Sequence, residues 1–234
     1  LRGDYYMPYI AFIDMIGTRA SATISNQEYT TAINDFNNSL KQVSSLCECT
    51  VYSYSDNAYV EVDKLSDLVT FFQVLRETLM NRHRYFTAAV DFGTLNAKKI
   101  SLDKSKGFLM KFTAPATVDI YMQQCQFSGI GVSLSKKVVG DLIEENAQNA
   151  FCRSIYQPYT DNEYKNNMIP IYDLSYNSVI LENLKYIMAD YLLTTATNDR
   201  AGRYYITPII SMIKCINEQI LFENLNSIVS LLSL

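Results

Sequence analysis

The chain has 234 residues, 48% hydrophobic and 19% charged, which supplies a packed core and argues against a disordered chain. A net charge of −4 gives no overall basic field for nucleic acid, and no apolar run reaches the ~18 residues that span a bilayer. Five scattered cysteines, an odd count, fit reduced thiols better than a disulfide frame, and with one histidine the Cys47-x-Cys49 pair makes a poor zinc site. No signal-peptide pattern is read at the start, so the expected location is the cytoplasm, with neither nucleic acid nor membrane as partner.

Tyr9 to Met15 predicts a short apolar strand closed by Gly17. Ser25 precedes Glu28 at capping-box spacing, and Tyr29, Ile33, Phe36, Leu40 and Val43 then recur at helical intervals. The stretch TVYSYSDNAYVEV alternates, breaks at Ser55-Asp56-Asn57 and alternates again, which predicts a hairpin with Asp56 at its tip. A helix follows from about Ser66 to Met80, then a strand in YFTAAVDFGTL. Asn96 to Lys106 reads as a loop, Ala116 to Gln124 as a helix and GIGVS as a strand, with Ser133 capping a further helix. The order β-α-β-β-α-β predicts an α+β, ferredoxin-like, palm-type sheet with helices on one face. Residues 1–150 are expected to form this domain. Residues 151–234, rich in proline and tyrosine before two apolar-periodic helices near Val179–Thr195 and Tyr204–Leu221, read as a helical extension packed on it or on a second subunit.

In such a sheet the first strand lies centrally and pairs with the hairpin, so Asp14 and Asp56 face each other. Singly, each has an ordinary reading: Asp14 as a helix cap, Asp56 as a turn residue. Together, two adjacent carboxylates repel in a low dielectric, and a divalent cation removes that repulsion. Mg²⁺ and Mn²⁺ take oxygen ligands, typically one or two carboxylates plus substrate phosphates. His83 reads as a surface residue at a helix end. No serine elbow, P-loop or G-x-G-x-x-G is present.

Several segments resemble a known family. FIDMIG is similar to the F-x-D-I-x-G opening of class III nucleotide cyclases, and YSDNAYV to their second metal-aspartate hairpin. VDFGTL resembles the next strand, and APATVDIYMQQCQFSGIGVS a stretch of a bacterial branch that includes the pyrimidine cyclases of Pycsar anti-phage systems. The resemblance covers roughly Tyr9 to Ser135. It implies two Mn²⁺ or Mg²⁺ ions held by Asp14, Asp56 and the Met15 carbonyl, with Asp14 and Asp56 as the catalytic pair. Ile16, Gly17 and Thr18 would form the turn that meets the triphosphate. At the base-reading positions stand Tyr52 and Pro115, which match neither purine pattern; a tyrosine there favours a smaller ring. The usual transition-state Asn and Arg are absent from TVDIYMQQ. The candidate replacement cations are Lys98, Lys99, Lys104, Lys106 and Lys111, with Arg200 and Arg203 farther on. The resemblance further implies a homodimer with active sites at the interface, UTP or CTP as substrate, and a 3′,5′-cyclic product read by a separate effector in anti-phage defence. The rival readings are an adenylate or guanylate cyclase, a GGDEF-type cyclic dinucleotide synthase, against which Ser55-Asp56-Asn57 in place of a Gly-Gly hairpin counts, and a degenerate, nucleotide-binding relative.

Overall fold

A computed structural model of the chain describes residues 7–101, 108–126, 130–145, 168–169, 187–189, 192, 205 and 209. Its centre is β1 (Tyr9–Ile16), which is buried almost without a break because both faces of the sheet are covered. After β1 come α1 (Thr18–Ile24) and α2 (Asn26–Ser44), then a hairpin of β2 (Thr50–Tyr54) and β3 (Asn57–Val62). Next are α3 (Leu65–Met80), β4 (Tyr85–Phe92), a second hairpin of β5 (Ala97–Ser101) and β6 (Phe108–Phe112), α4 (Pro115–Gln126), β7 (Gly131–Leu134) and α5 (Lys136–Glu144). The two-residue β8 (Met168–Ile169) pairs with β7.

The main sheet runs β2-β3-β1-β4-β7-β8, and its first four strands pair antiparallel in the ferredoxin-like order. Strands β4 and β7 pair in parallel, joined through the second hairpin and α4. Ser25 caps α2 by accepting the Glu28 N–H at 3.0 Å, as its spacing predicts. α3 ends where His83 adopts φ 54 and the Arg84 N–H reaches the Leu79 carbonyl at 2.9 Å. Arg84 then pairs with Glu28 at 2.8 Å and Asp35 at 3.3 Å, which ties the end of α3 to α2.

The main core lies between the sheet and α2, α3 and α5. Ala11, Ile13 and Met15 of β1 meet Phe36, Leu40 and Val43 of α2, Leu68, Phe72 and Leu75 of α3, and Val138 and Leu142 of α5. Each large side chain fully buried here contributes about 1.5–3 kcal/mol of hydrophobic stabilisation. The opposite face carries a smaller cluster of Ile10, Phe12, Leu95 and Ile120, with Tyr52, Tyr59, Ala97, Phe112 and Ala116 against it.

That second cluster corrects one expectation. α4 does not join the other helices on one face; it packs on the other side, where Ile120 meets Ile10 and Phe12. The close approach depends on Gly93, whose φ is +153 and where a Cβ would run into the Ala116 methyl. Two further expectations give way. The stretch from Asn96 is not all loop, because Ala97–Ser101 pairs with Phe108–Phe112. Ser133 is a buried strand residue, and the hydroxyl at the start of α5 belongs to Ser135, which accepts the Val138 N–H at 3.4 Å. Of the expected C-terminal helices only 187–189, 192, 205 and 209 are described, all helical, with Ile187 and Tyr205 buried in the main core; the rest of 151–234, Met168–Ile169 apart, lies outside the described residues. Among the described residues no helix is long and apolar enough to cross a membrane.

Candidate active site

Strand register places the site. On the face under α4, two neighbouring rows of side chains cross the sheet. One row reads Tyr54, Asn57, Asp14, Thr87, Gly131; the next reads Tyr52, Tyr59, Phe12, Ala89, Ser133. Asp14 is on this face because Ile13 and Met15, its neighbours in β1, point into the main core. Asp56 lies just beyond the end of the first row, in the two-residue turn of the hairpin. Its carbonyl accepts the Met15 N–H at 2.8 Å, which fixes the turn against the end of β1. Ser55 takes φ 55 there, as a tight hairpin turn requires.

The two acids meet. Burial, and secondarily the nearby Asp56 carboxylate, push the Asp14 carboxyl from 3.8 up to about 6. Among the described residues the Asp14 side chain has no hydrogen-bond or ion-pair partner, and Asp56 forms no ion pair. Asp56 is instead oriented by hydroxyl and amide donors: Thr18 Oγ1 donates to one oxygen at 2.5 Å and Asn57 Nδ2 to the other at 2.9 Å. Ile16 ends β1, and Gly17 follows at φ 89 as the N-cap of α1, a left-handed conformation that glycine adopts without Cβ strain. Asp14, Met15, Ile16, Gly17, Thr18 and Asp56 therefore form one continuous patch. Met15 can contribute only through its backbone, since its side chain is in the core.

The donor set is all oxygen and carries uncompensated negative charge, which fits Mg²⁺ or Mn²⁺. Among the described residues no group of three or more His, Cys, Asp or Glu gathers to make a closed cage. A pair of acids suits an ion that completes its shell with water and phosphate oxygens.

At the β2 edge of the sheet, where Tyr54 begins the row that holds Asp14, lies a cleft of about 780 Å³, lined by Val51, Tyr52, Ser53, Tyr54, Ala97, Lys99, Met110 and Phe112. Tyr52 stands edge-on to Phe112 with ring centroids 5.6 Å apart. The rings continue inward: Phe112 to Tyr59 at 5.0 Å, Tyr59 to Phe12 at 4.9 Å, and Phe12 to Tyr121 of α4 at 5.5 Å. Burial raises the Tyr59 phenol to about 12, and burial with the Asp14 charge raises Tyr54, so both remain hydrogen-bond donors at neutral pH. The Tyr121 phenol is also raised, first by a hydrogen bond with Cys125 and in part by Asp14.

The remaining candidates divide. Tyr52 lines the cleft with Phe112 against it, and Pro115, the other candidate base-reading position, is the first residue of α4. Lys99 borders the cleft with Ala97, Met110 and Phe112. Lys111 pairs with Lys98 on the other side of the β5–β6 ribbon, because strand residues alternate in direction. Lys104, Lys106, Arg200 and Arg203 lie outside the described residues. Sequence reasoning missed Thr18 as the orienter of Asp56, and missed Tyr54, Tyr59, Phe112 and Tyr121. The tyrosines of β2 and β3 are legible once the two-residue turn sets the register; Phe112 and Tyr121 depend on how the second hairpin and α4 fold over the sheet.

No family model matches the chain, and no curated protein matches it. Solved structures similar to it include the adenylyl cyclase CyaB from P. aeruginosa, at 10% identity and TM-score 0.47 over 58% of this chain and 80% of that one. The guanylyl cyclase Cya2 is similar at 12% identity and TM-score 0.46, over 69% and 88% of the two chains. A class III adenylyl cyclase-like ATP-binding protein from Pseudomonas aeruginosa is similar at 11% identity and TM-score 0.45, over 85% of this chain and 42% of that one. At these identities and TM-scores the likeness carries no weight for what the site does; strand order and side-chain geometry carry that.

Proposed function

We propose that the protein is a nucleotide cyclase that converts a pyrimidine nucleoside triphosphate, UTP or CTP, to its 3′,5′-cyclic nucleotide and pyrophosphate. The observation that supports this most is that two carboxylates, Asp14 and Asp56, meet without an ion-pair partner among the described residues, in the strand row that Tyr54 of an aromatic cleft begins. Asp14 and Asp56, with the Met15 carbonyl, would hold two Mn²⁺ or Mg²⁺ ions. When bound, such ions lower the pKa of a ribose 3′-hydroxyl and offset charge on the leaving pyrophosphate. Thr18 and Asn57 keep the Asp56 oxygens turned to the site. The first turn of α1, opened by Gly17, has backbone N–H groups without intrahelical acceptors, which suit phosphate oxygens. Tyr52 and Phe112 offer ring surfaces to a base, and the Tyr52 ring reduces the room for a purine. Lys99 supplies the cation at the rim of the cleft.

A second copy of the chain is the proposed partner. α4 presents Val118, Tyr121, Met122 and Cys125 at i, i+3, i+4 and i+7, all exposed, as a largely apolar stripe. Sedimentation of the full chain tests this, and a monomer at working concentration would refute it. The further role, as source of a second messenger for a separate effector in anti-phage defence, rests on the likeness of the APATVDIYMQQCQFSGIGVS segment alone. Incubation with each of four labelled nucleoside triphosphates and Mn²⁺, followed by chromatography, tests the reaction. A cyclic purine product would overturn the base assignment. Uptake of nucleotide with no product from any of the four would favour a binding protein, the reading that the missing Asn and Arg support.

A further inference from the structure

Two buried polar atoms on the site face have no hydrogen-bond partner among the described residues. They are Oγ1 of Thr87 and Oε1 of Gln123, each on a side chain of a residue that is 1% exposed. Gln123 reaches down from α4, and its Nε2 donates to Ser133 Oγ at 3.0 Å. Thr87 lies directly across the β1–β4 pair from Asp14, and across the β4–β7 pair from Gly131, two residues before Ser133. Side chains opposed in this way share a face, with Cβ atoms about 4.5–5.5 Å apart. Gly131 adds no side chain to the row. The unused hydroxyl thus has the Asp14 carboxylate, itself without a partner among the described residues, as its lateral neighbour.

An orphaned hydroxyl in a core costs stability, and valine would fill the same space in a buried strand without that cost. Buried groups of this kind are accounted for by an ion, a water or a functional state that uses them. We propose that Thr87 is a positioning residue for Asp14: its hydroxyl donates to the carboxylate oxygen turned away from the bound cation and holds the other oxygen toward it. This rests on the divalent-cation reading of the site. It parallels the outer-shell hydrogen bonds that orient metal-ligating carboxylates elsewhere, whose loss costs roughly 10–100-fold in metal affinity.

The test is Mn²⁺ titration calorimetry on the full chain for wild type, Thr87→Val and Thr87→Ser, with thermal melts of each in chelator. Thr87→Val is expected to bind Mn²⁺ about 10–100-fold more weakly while melting no lower than wild type without metal. Thr87→Ser, which keeps the hydroxyl, is expected to bind within a few-fold of wild type, as an outer-shell donor should. Equal Mn²⁺ affinity for wild type and Thr87→Val overturns the proposal and leaves the cation site standing. Weak binding by Thr87→Ser as well as Thr87→Val, or a lower metal-free melting temperature for Thr87→Val, also overturns it, because packing and not the hydroxyl would then be at work. No Mn²⁺ uptake by wild type sinks the cation reading itself, and this inference with it.

Discussion

Asp14→Asn should make the metal-free fold more stable. The carboxylate in β1 is pushed from 3.8 to about 6 by burial and by Asp56, so the folded chain holds its proton more tightly than the unfolded chain does. Between those two values the unfolded chain has released a proton that the folded one keeps. Stability from this group is therefore full below about pH 4, falls as pH rises toward 6, and stays lost above it. At roughly 1.4 kcal/mol per pH unit the whole displacement is about 3 kcal/mol. The side chain keeps some contact with water, and screening brings this to about 1–2 kcal/mol. Asparagine has nearly the same shape and no charge, so it recovers that amount at pH 7.5 and almost nothing at pH 4. For a chain of this size 1 kcal/mol moves the melting temperature by about 2–4 °C, giving an expected rise of about 2–8 °C. Calorimetric melts in chelator at both pH values measure it. Mn²⁺ should raise the Tm of wild type and leave the variant unmoved, since only the binding-competent fold gains from ligand. An Asp14→Asn variant that melts below wild type at pH 7.5 in chelator would show that the carboxylate is satisfied within the fold, and the case for an open cation site would fail.

Asp56→Ala should abolish product formation with all four nucleotides while far-UV circular dichroism stays that of wild type; turnover within tenfold of wild type would remove Asp56 from the site. Replacing Tyr52 with Ala opens the cleft, and relative kcat/KM for purine over pyrimidine triphosphates should rise about tenfold or more, in line with the 1–3 kcal/mol typical of a changed apolar pocket. An unchanged ratio would mean the base is read elsewhere. Gly93→Ala drives a methyl into Ala116 and strains a positive φ, so it should destabilise the fold by about 2–4 kcal/mol in denaturant titration. A change under 0.5 kcal/mol would show that α4 is not seated there.

The parts of the fold that were legible in the sequence are those where one local signal decides the outcome. The capping box at Ser25 sets the start of α2, and the Ser55-Asp56 break sets the hairpin register that carries Asp56 to the end of β1. β1 was legible as an apolar run, with Asp14 as its lone acid. The β5–β6 ribbon was not, because Ala97, Lys98 and Lys99 have weak strand preference and are held by pairing with β6, a tertiary effect. α4 lies on the second face for a similar reason: its sequence sets helicity, while the Gly93–Ala116 contact sets the side it occupies. α1, seven residues long and without a side-chain cap, gives almost no local signal. The site was legible at its acids and illegible at its walls. Asp14 and Asp56 stand out by chemistry, whereas Phe112 and Tyr121 become relevant only through distant packing.

The unequal covering of the two sheet faces separates two kinds of evolutionary constraint. Beneath α2 and α3, large apolar residues such as Phe36, Phe71, Phe72 and Leu75 are closed off from water, and almost any exchange there threatens folding. On the reverse face Tyr54 and Tyr121 stand half in solvent, at 49% and 47% exposure, and Tyr52 borders an open cleft. Exchanges at those rings carry little thermodynamic risk, and those at Tyr52 and Tyr54 reshape the wall of the cleft. A lineage carrying this scaffold can thus diverge in ligand preference while its backbone persists.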